Sequence, residues 1–207
     1  FDEVLPPEEG LAPARMNLDS RYSGAVVEIG WRKGPPQTAA LNYDLQSLFS
    51  PGIWSVAYGL AKVSVPKEGD YILNVRTTDP FKVWVNGTLN FVARDLKRGW
   101  NGPALRLPVH LHQGANQIII KTAQETGGWG MRVFLSDTEG GEVVDHKVLP
   151  PDTSLTLAKT NPQSDVATFD ATIQAQTGGE DEVSGRRFAN LNRWASILGA
   201  EQLAVSH

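Results

Sequence analysis

Hydrophobic and polar residues alternate in short runs through the middle of the chain, and turn residues separate one run from the next. Successive side chains of a β-strand point to opposite faces, so this alternation buries one face of each strand. The runs predict about seven short strands spaced roughly 8–15 residues apart, which is typical of a sandwich or barrel. Such runs cover residues 54–65, 71–76, 81–85, 88–92, 105–111 and 131–135, the apolar residues 118–121 predict a buried strand, and an apolar stretch at 143–148 follows. We therefore predict an all-β fold, an antiparallel β-sandwich over residues 21–150.

One turn between these runs has a specific sequence. Asn86-Gly87 separates the runs 81–85 and 88–92. A two-residue type I′ turn needs a positive φ at both central positions, which Asn and Gly tolerate. The dipeptide therefore predicts a tight β-hairpin.

The segments beside the predicted sandwich have other patterns. Residues 1–20 are acidic and contain prolines, and we predict an extended lead-in. Residues 22–31 are apolar at many positions, and we predict a single strand there. Residues 151–183 are rich in Thr, Ala, Gln, Asp and Gly, which indicates a linker or a loosely packed strap.

The last segment has the spacing of a helix. Phe188, Leu191, Trp194, Leu198 and Leu203 recur at three- and four-residue steps, which predicts a C-terminal amphipathic helix over residues 184–207. A single amphipathic helix must bury its apolar stripe against something. The stripe at 188–198 therefore packs on the sandwich, or it begins a helical region and contacts neighbouring protein domains.

Two of the predicted corners resemble those of a known family. Val85-Asn86-Gly87 ends one strand, and Leu111, Gly114 and Asn116 form an L-x-x-G-x-N turn before an apolar strand. These motifs resemble the galactose-binding-domain-like jelly rolls, such as the sugar-binding domain of family 2 glycoside hydrolases. The run 127–137 is similar to bacterial envelope or secreted proteins in which such a sandwich accompanies helical repeats. The resemblance covers about 95 residues and implies a jelly-roll sandwich that binds carbohydrate or holds neighbouring domains in place.

Composition narrows the class of partner. The formal net charge is −4, and no block of Lys and Arg is present, so we predict no nucleic-acid partner. The longest apolar stretch is far too short to span a bilayer, so we predict no membrane span. Cysteine is absent, which excludes disulfides, thiolate nucleophiles and Cys-ligated zinc. The chain starts at Phe1 rather than Met, so we expect a processed piece of a longer secreted, periplasmic or cell-envelope protein.

The sequence offers no recognisable catalytic centre. A Gly-x-Ser-x-Gly elbow is absent, and the candidate acids Asp79, Asp95, Glu125 and Asp137 all fall at predicted turns. We predict that this chain is not an enzyme, although it could serve as an accessory domain of one. A hydrolase whose cleft is formed only in three dimensions remains the alternative.

His110 and His112 form a His-x-His pair on one predicted strand. Residues two apart on a strand point the same way, as some metal sites require. Their strand carries leucines on its other face, and the sequence shows no third ligand. We therefore interpret both as solvent-facing surface residues.

Tryptophans in polar loops are the candidate ligand contacts. Sugar rings stack on flat aromatic rings while Asn, Asp and Arg bind their hydroxyl groups. We predict a contact made by Trp100 with Arg98, Asn101 and Asp95, and we include Trp129. The alternative for each tryptophan is that it folds back and plugs one end of the sandwich, and the glycines beside Trp129 favour this for Trp129. Three other tryptophans, Trp31, Trp54 and Trp84, are predicted to be core or sheet-face residues.

These observations predict a non-catalytic binding module, with carbohydrate as the partner. The alternative is a structural or protein-interaction sandwich without a small-molecule ligand. We predict no cofactor. Calcium is only an alternative, because the acids at turns have no recognisable ligand spacing.

Overall fold

Strands dominate the computed structural model of this chain, as the alternating runs predict. It describes residues 1, 4–11, 17–23, 28–33, 43–49, 54–94, 96, 102–150, 153, 155, 167–168 and 201–206. The central strands are β5 (Ser55–Val65), β6 (Gly69–Thr77), β7 (Phe81–Val85), β8 (Thr88–Ala93), β9 (Leu105–Leu111), β10 (Gly114–Gln124) and β11 (Gly130–Ser136). Shorter elements are α1 (Pro6–Glu9), β1 (Arg21–Ser23), β2 (Glu28–Gly30), β3 (Arg32–Lys33), β4 (Tyr43–Asp44), α2 (Leu45–Leu48), β12 (Lys147–Leu149), β13 (Ala167–Thr168) and β14 (Glu201–Ser206). Neither described helix has the length and apolar character needed to cross a bilayer.

The larger sheet is built around β5 and β10. Its central order is β8-β7-β10-β5, with every pair antiparallel. The other edge of β5 is shared, because β14 pairs with Ser55–Gly59 and β12 pairs with Lys62–Ser64. At the opposite edge, β13 pairs parallel to β8.

The smaller sheet has the order β4-β11-β6-β9, again antiparallel. From β5 to β11 the chain passes repeatedly between the two sheets, with β6, β9 and β11 in the smaller one. Buried side chains of both sheets, such as Val63, Val83, Leu73 and Leu135, belong to one hydrophobic cluster. The arrangement is therefore all-β and sandwich-like.

The three strands β5, β7 and β10 of the larger sheet are buried on both faces. Val63 faces the core, and Lys62 beside it is also buried. In β10 the apolar run Ile118–Ile120 continues into Lys121, which is 0% exposed. A strand buried on both faces loses the simple hydrophobic–polar alternation. The outer face is contacted by the start of the chain, through Glu8 and Leu11, and by Thr153, whose carbonyl accepts a hydrogen bond from Lys62.

The lead-in predicted over residues 1–20 therefore contributes to the packing. Its described part forms the short helix α1, and Leu5 and Leu11 are buried in the core cluster. The Gln117 side chain donates a hydrogen bond to the Leu11 carbonyl over 2.9 Å, which anchors the segment on β10. The acidic composition of the segment did not indicate that Leu5 and Leu11 belong to the core.

The single strand predicted over residues 22–31 is instead two strands. β1 and β2 pair antiparallel, with Tyr22 opposite Ile29. Trp31 follows and is buried, as predicted. Gly30 is the last residue of β2.

The predicted C-terminal helix is wrong for its last residues. Glu201–Ser206 is strand β14, which pairs with β5 and with β3. An unpaired edge of β5 offers a row of backbone hydrogen bonds to any strand that reaches it, and a local periodicity does not reveal that edge. The predicted stripe at Phe188, Leu191 and Leu198 lies outside the described residues, as does most of the linker at 151–183.

Candidate functional site

The strand register brings several connections together at one end of the sandwich. β5 begins there after Trp54, the turn 78–80 joins β6 to β7, and the turn 125–129 joins β10 to β11. β8 ends at the same place, because Ala93 pairs with Phe81. The chain leaves β8 here towards the segment that carries Trp100. We call this group of connections the Trp54 end.

Trp54 is exposed, which corrects the prediction that it is a core or sheet-face residue. Its side chain is 57% exposed, and its backbone has a φ of +52°. Its amide donates to the carbonyl of Glu125 over 3.0 Å, which ties the start of β5 to the β10–β11 turn. A bulky residue in the left-handed region is strained and persists only where its surroundings hold it. The fold therefore presents an indole ring to solvent at some conformational cost.

Asp79 lies at the same end and is buried, with 8% exposure. The Thr78 hydroxyl donates to its Oδ2 over 3.1 Å, and the Asp79 amide donates to the Thr77 hydroxyl oxygen. Burial raises the pKa of Asp79 to about 6, against the lowering effect of the two threonines. This carboxyl group is therefore partly protonated in mildly acidic solution.

Trp129 also belongs to this end but is only 2% exposed. Its ring packs against the Phe49 ring with centroids 5.6 Å apart, and its carbonyl accepts from the Gln46 amide. Trp129 is therefore packed into this end of the sandwich, which is the alternative to a ligand contact given above. Its indole nitrogen has no hydrogen-bond partner among the described residues. The other predicted contacts, Trp100, Arg98, Asn101 and Asp95, lie outside the described residues.

The opposite end of the sandwich brings the two histidines to an acidic group. The pairing of β6 with β9 places Gly69 opposite Leu111 and Asp70 opposite His110. His110 Nδ1 is 2.9 Å from Asp70 Oδ1, and His110 Nε2 is 3.5 Å from Glu68 Oε1. The hydrogen bond to Asp70 raises the pKa of His110 above its ordinary value. We call Glu68, Asp70, His110 and His112 the His110 cluster.

Sequence reasoning anticipated part of this cluster. Leu111 is buried and His110 is exposed, as the alternation on β9 predicts. The sequence pattern did not indicate the third donor, Glu68. One ligand atom from each of Glu68, His110 and His112 lies within 4.8 Å of the other two, a group that could hold a metal ion. Glu68 precedes a different strand, so only the β6–β9 register could have indicated it.

The side chains of Asn86 and Asn116 form the hydrogen bonds of the corner next to the His110 cluster. Asn116 is fully buried, and its side chain accepts from the His112 amide and donates to the His112 carbonyl, at 3.0 and 2.8 Å. It also accepts from the Asn86 side chain over 2.9 Å. Asn86 in turn accepts from the Gln117 amide. The hairpin and the corner that follows β9 are therefore one hydrogen-bonded unit.

A third polar group lies on the outer face of the larger sheet. Lys121 contacts Glu8 Oε1 through its ammonium nitrogen at 2.5 Å, and the Tyr58 hydroxyl donates to the same oxygen over 2.7 Å. Burial alone would raise the pKa of Glu8, but the hydrogen bonds from Lys121 and Tyr58 together hold it below its ordinary value. Burial and the neighbouring Glu8 raise the pKa of Tyr58, so its hydroxyl keeps its proton and donates. This arrangement anchors the N-terminal segment to the sheet.

Models of protein families and the curated proteins both gave no match to this chain.

Proposed function

We propose that this chain is a carbohydrate-binding module with a galactose-binding-like jelly-roll fold, and that a sugar ring stacks on Trp54. The observation that carries the proposal is the exposed indole, held with a φ of +52° at the start of β5. Residues with strained backbone cluster at active sites and ligand-binding sites. The flat face of an indole suits the C–H face of a sugar.

The surroundings of Trp54 support this choice. The turns 78–80 and 125–129 lie beside it, and the connection that carries Trp100, Arg98, Asn101 and Asp95 leaves β8 at the same end. Ligand sites are often built from loops that a rigid scaffold positions. The polar residues of that connection would bind the hydroxyl groups of the sugar.

The family kinship is part of the proposal. Two corners support this kinship, one at Asn86-Gly87 and one at Leu111 to Asn116. Both corners are turns in the structure, and a hydrogen bond between the Asn86 and Asn116 side chains joins them. Relatives of this kind are modules of larger proteins, so we also propose a secreted, periplasmic or envelope bacterial protein as the host. The module would bind and would not catalyse.

Binding to a glycan array and to polysaccharide affinity gels tests this function. We expect Trp54→Ala to lower affinity about tenfold, the value of one lost aromatic contact. Val144→Ala serves as the control, because Val144 is exposed to a similar degree at 70%. Trp100→Ala tests whether the connection that follows β8 also contacts the sugar. Native-like binding by both tryptophan variants, or no glycan binding by the native chain, would contradict the proposal.

A second candidate function is structural, and the buried Glu8–Lys121 pair favours it. The pair fixes the N-terminal segment on the outer face of the larger sheet, while β14 extends that sheet beside β5. Such a sandwich would hold flanking segments, and neighbouring domains with them, in a defined orientation. A mobile N-terminal segment in spin-label distance measurements on the native chain would exclude this role.

A further inference from the structure

The His110 cluster presents donor atoms that a transition metal prefers. Two imidazole nitrogens and one carboxylate oxygen come together from Glu68, His110 and His112. Zinc binds such nitrogen and oxygen donors, and sites with three protein ligands keep a fourth position open. Calcium and magnesium instead require mostly oxygen donors, so this set does not suit them.

The distances allow the three donors to close on one ion. They lie within 4.8 Å of one another, and tetrahedral zinc with bonds of about 2.0–2.1 Å needs donors roughly 3.4 Å apart. His110 Nε2 and Glu68 Oε1 already stand at 3.5 Å. The side chains of both residues are more than half exposed, so a small rotation about their own bonds would complete the approach.

Neighbouring groups orient both histidines. Asp70 Oδ1 lies 2.9 Å from His110 Nδ1 and favours the tautomer with its proton there, so in the neutral ring the lone pair lies on Nε2, 3.5 Å from Glu68 Oε1. A carboxylate behind a metal-binding histidine fixes the ring and its tautomer in this way. The Asn116 side chain fixes the backbone of His112 with two hydrogen bonds: it accepts from the His112 amide and donates to the His112 carbonyl. The cluster therefore has supporting contacts beyond its three donors.

We propose that Glu68, His110 and His112 bind a divalent transition-metal ion, Zn²⁺ in the first instance, with Asp70 as a positioning residue. The fourth coordination position is open to water or to an anion. This site lies at the opposite end of the sandwich from Trp54. It therefore does not depend on the proposed carbohydrate function.

Titration calorimetry with Zn²⁺ on the full chain, free of any polyhistidine tag, tests the site. We expect one ion per chain with micromolar affinity. His110→Ala and His112→Ala should each weaken binding at least tenfold, and Glu68→Gln about tenfold. His146→Ala is the matched control, because His146 lies outside the cluster, with Nδ1 2.9 Å from the Val143 carbonyl oxygen. Circular dichroism and melting curves without metal show that each variant folds.

Cobalt provides a second readout that separates a defined site from scattered surface contacts. Co²⁺ should give the visible absorption of a low-coordinate site in the native chain, and His112→Ala should abolish it. Asp70→Asn should weaken Zn²⁺ binding three- to tenfold while keeping the cobalt spectrum, because Asp70 only orients His110. No Zn²⁺ binding, or binding that survives both histidine substitutions, would overturn the proposal.

Discussion

Asp79 shows how one buried side chain can make stability depend on pH. It lies in the turn between β6 and β7, where its carboxyl group is largely removed from water. Burial favours the neutral form and outweighs the hydrogen bonds of Thr78 and Thr77, which favour the charged form. The folded protein therefore holds a proton on this group more tightly than the unfolded chain does.

The folded-state pKa of Asp79 is raised from 3.8 to about 6, which defines the pH window. Between these values the folded state binds more protons than the unfolded state, so stability falls as the pH rises from about 4 to about 6. We expect Asp79→Asn to remove that decline and to stabilise the protein at pH 7.5 by about 1–2 kcal/mol, after allowance for partial solvent screening. Urea unfolding at several pH values measures this effect. Glu139→Gln is the control in an exposed turn, and an equal pH dependence in both variants would contradict the prediction.

At the scale of elements, turn chemistry decides how the strands are joined. Asn86 and Gly87 have φ values of +51° and +84°, which confirms the predicted type I′ hairpin. Gly114 begins β10 with a φ of +86°, and its carbonyl accepts from the Asn116 side chain. Both corners thus depend on residues that tolerate the left-handed region.

Gly114 and Gly128 form a matched pair for measuring this dependence. A Cβ added at either position would meet open space, but only Gly114 has a positive φ. We expect Gly114→Ala to lower the free energy of unfolding by about 1–2 kcal/mol, since the penalty is purely one of backbone conformation. Gly128→Ala should change it by less than about 0.5 kcal/mol. Thermal and urea unfolding measure both, and similar losses in the two variants would contradict the backbone argument.

At the scale of the whole molecule, segments distant in sequence close the larger sheet. Lys121 and Glu8 are separated by 113 residues, and β14 reaches β5 from the other end of the sequence. Lys121 is fully buried and the Glu8 side chain is 8% exposed. Breaking a buried ion pair from one side leaves an uncompensated charge in a poorly solvated site.

We expect Lys121→Met to destabilise the protein by about 3–5 kcal/mol and to release the N-terminal segment. Adding Glu8→Gln to this variant should recover part of the loss, because the unpaired Glu8 charge is then removed. The chain has no cysteine, so Val4→Cys and Val144→Cys, at two exposed positions, accept spin labels selectively. The label-to-label distance distribution should be narrow in the native background and broad with Lys121→Met.

Lys67→Met is the control for this experiment, since Lys67 is exposed. It should change the free energy of unfolding by less than about 0.5 kcal/mol and leave the distance distribution narrow. A narrow distribution in the Lys121→Met variant would show that the ion pair does not hold the segment.

The sequence by itself determined the features that depend on neighbouring residues. Alternating or apolar runs bounded by turn residues located all seven central strands, from β5 to β11, because these patterns are local properties of the sequence. Asn86-Gly87 located a hairpin, because its φ requirement involves two adjacent residues. The buried Leu111 beside the exposed His110 follows from the same local rule.

Tertiary structure decided what depends on strand pairing between distant segments. Only the β6–β9 register brings Glu68 to the histidines, and only the packing of α1 on β10 gives Lys121 its buried partner. The free edge of β5 makes Glu201–Ser206 a strand, although the residues before it have a helical spacing. The backbone of Trp54 is likewise held by a distant residue, because its amide donates to the carbonyl of Glu125 in the β10–β11 turn. Register and edge pairing are set by the free energy of the whole core, which no local pattern records.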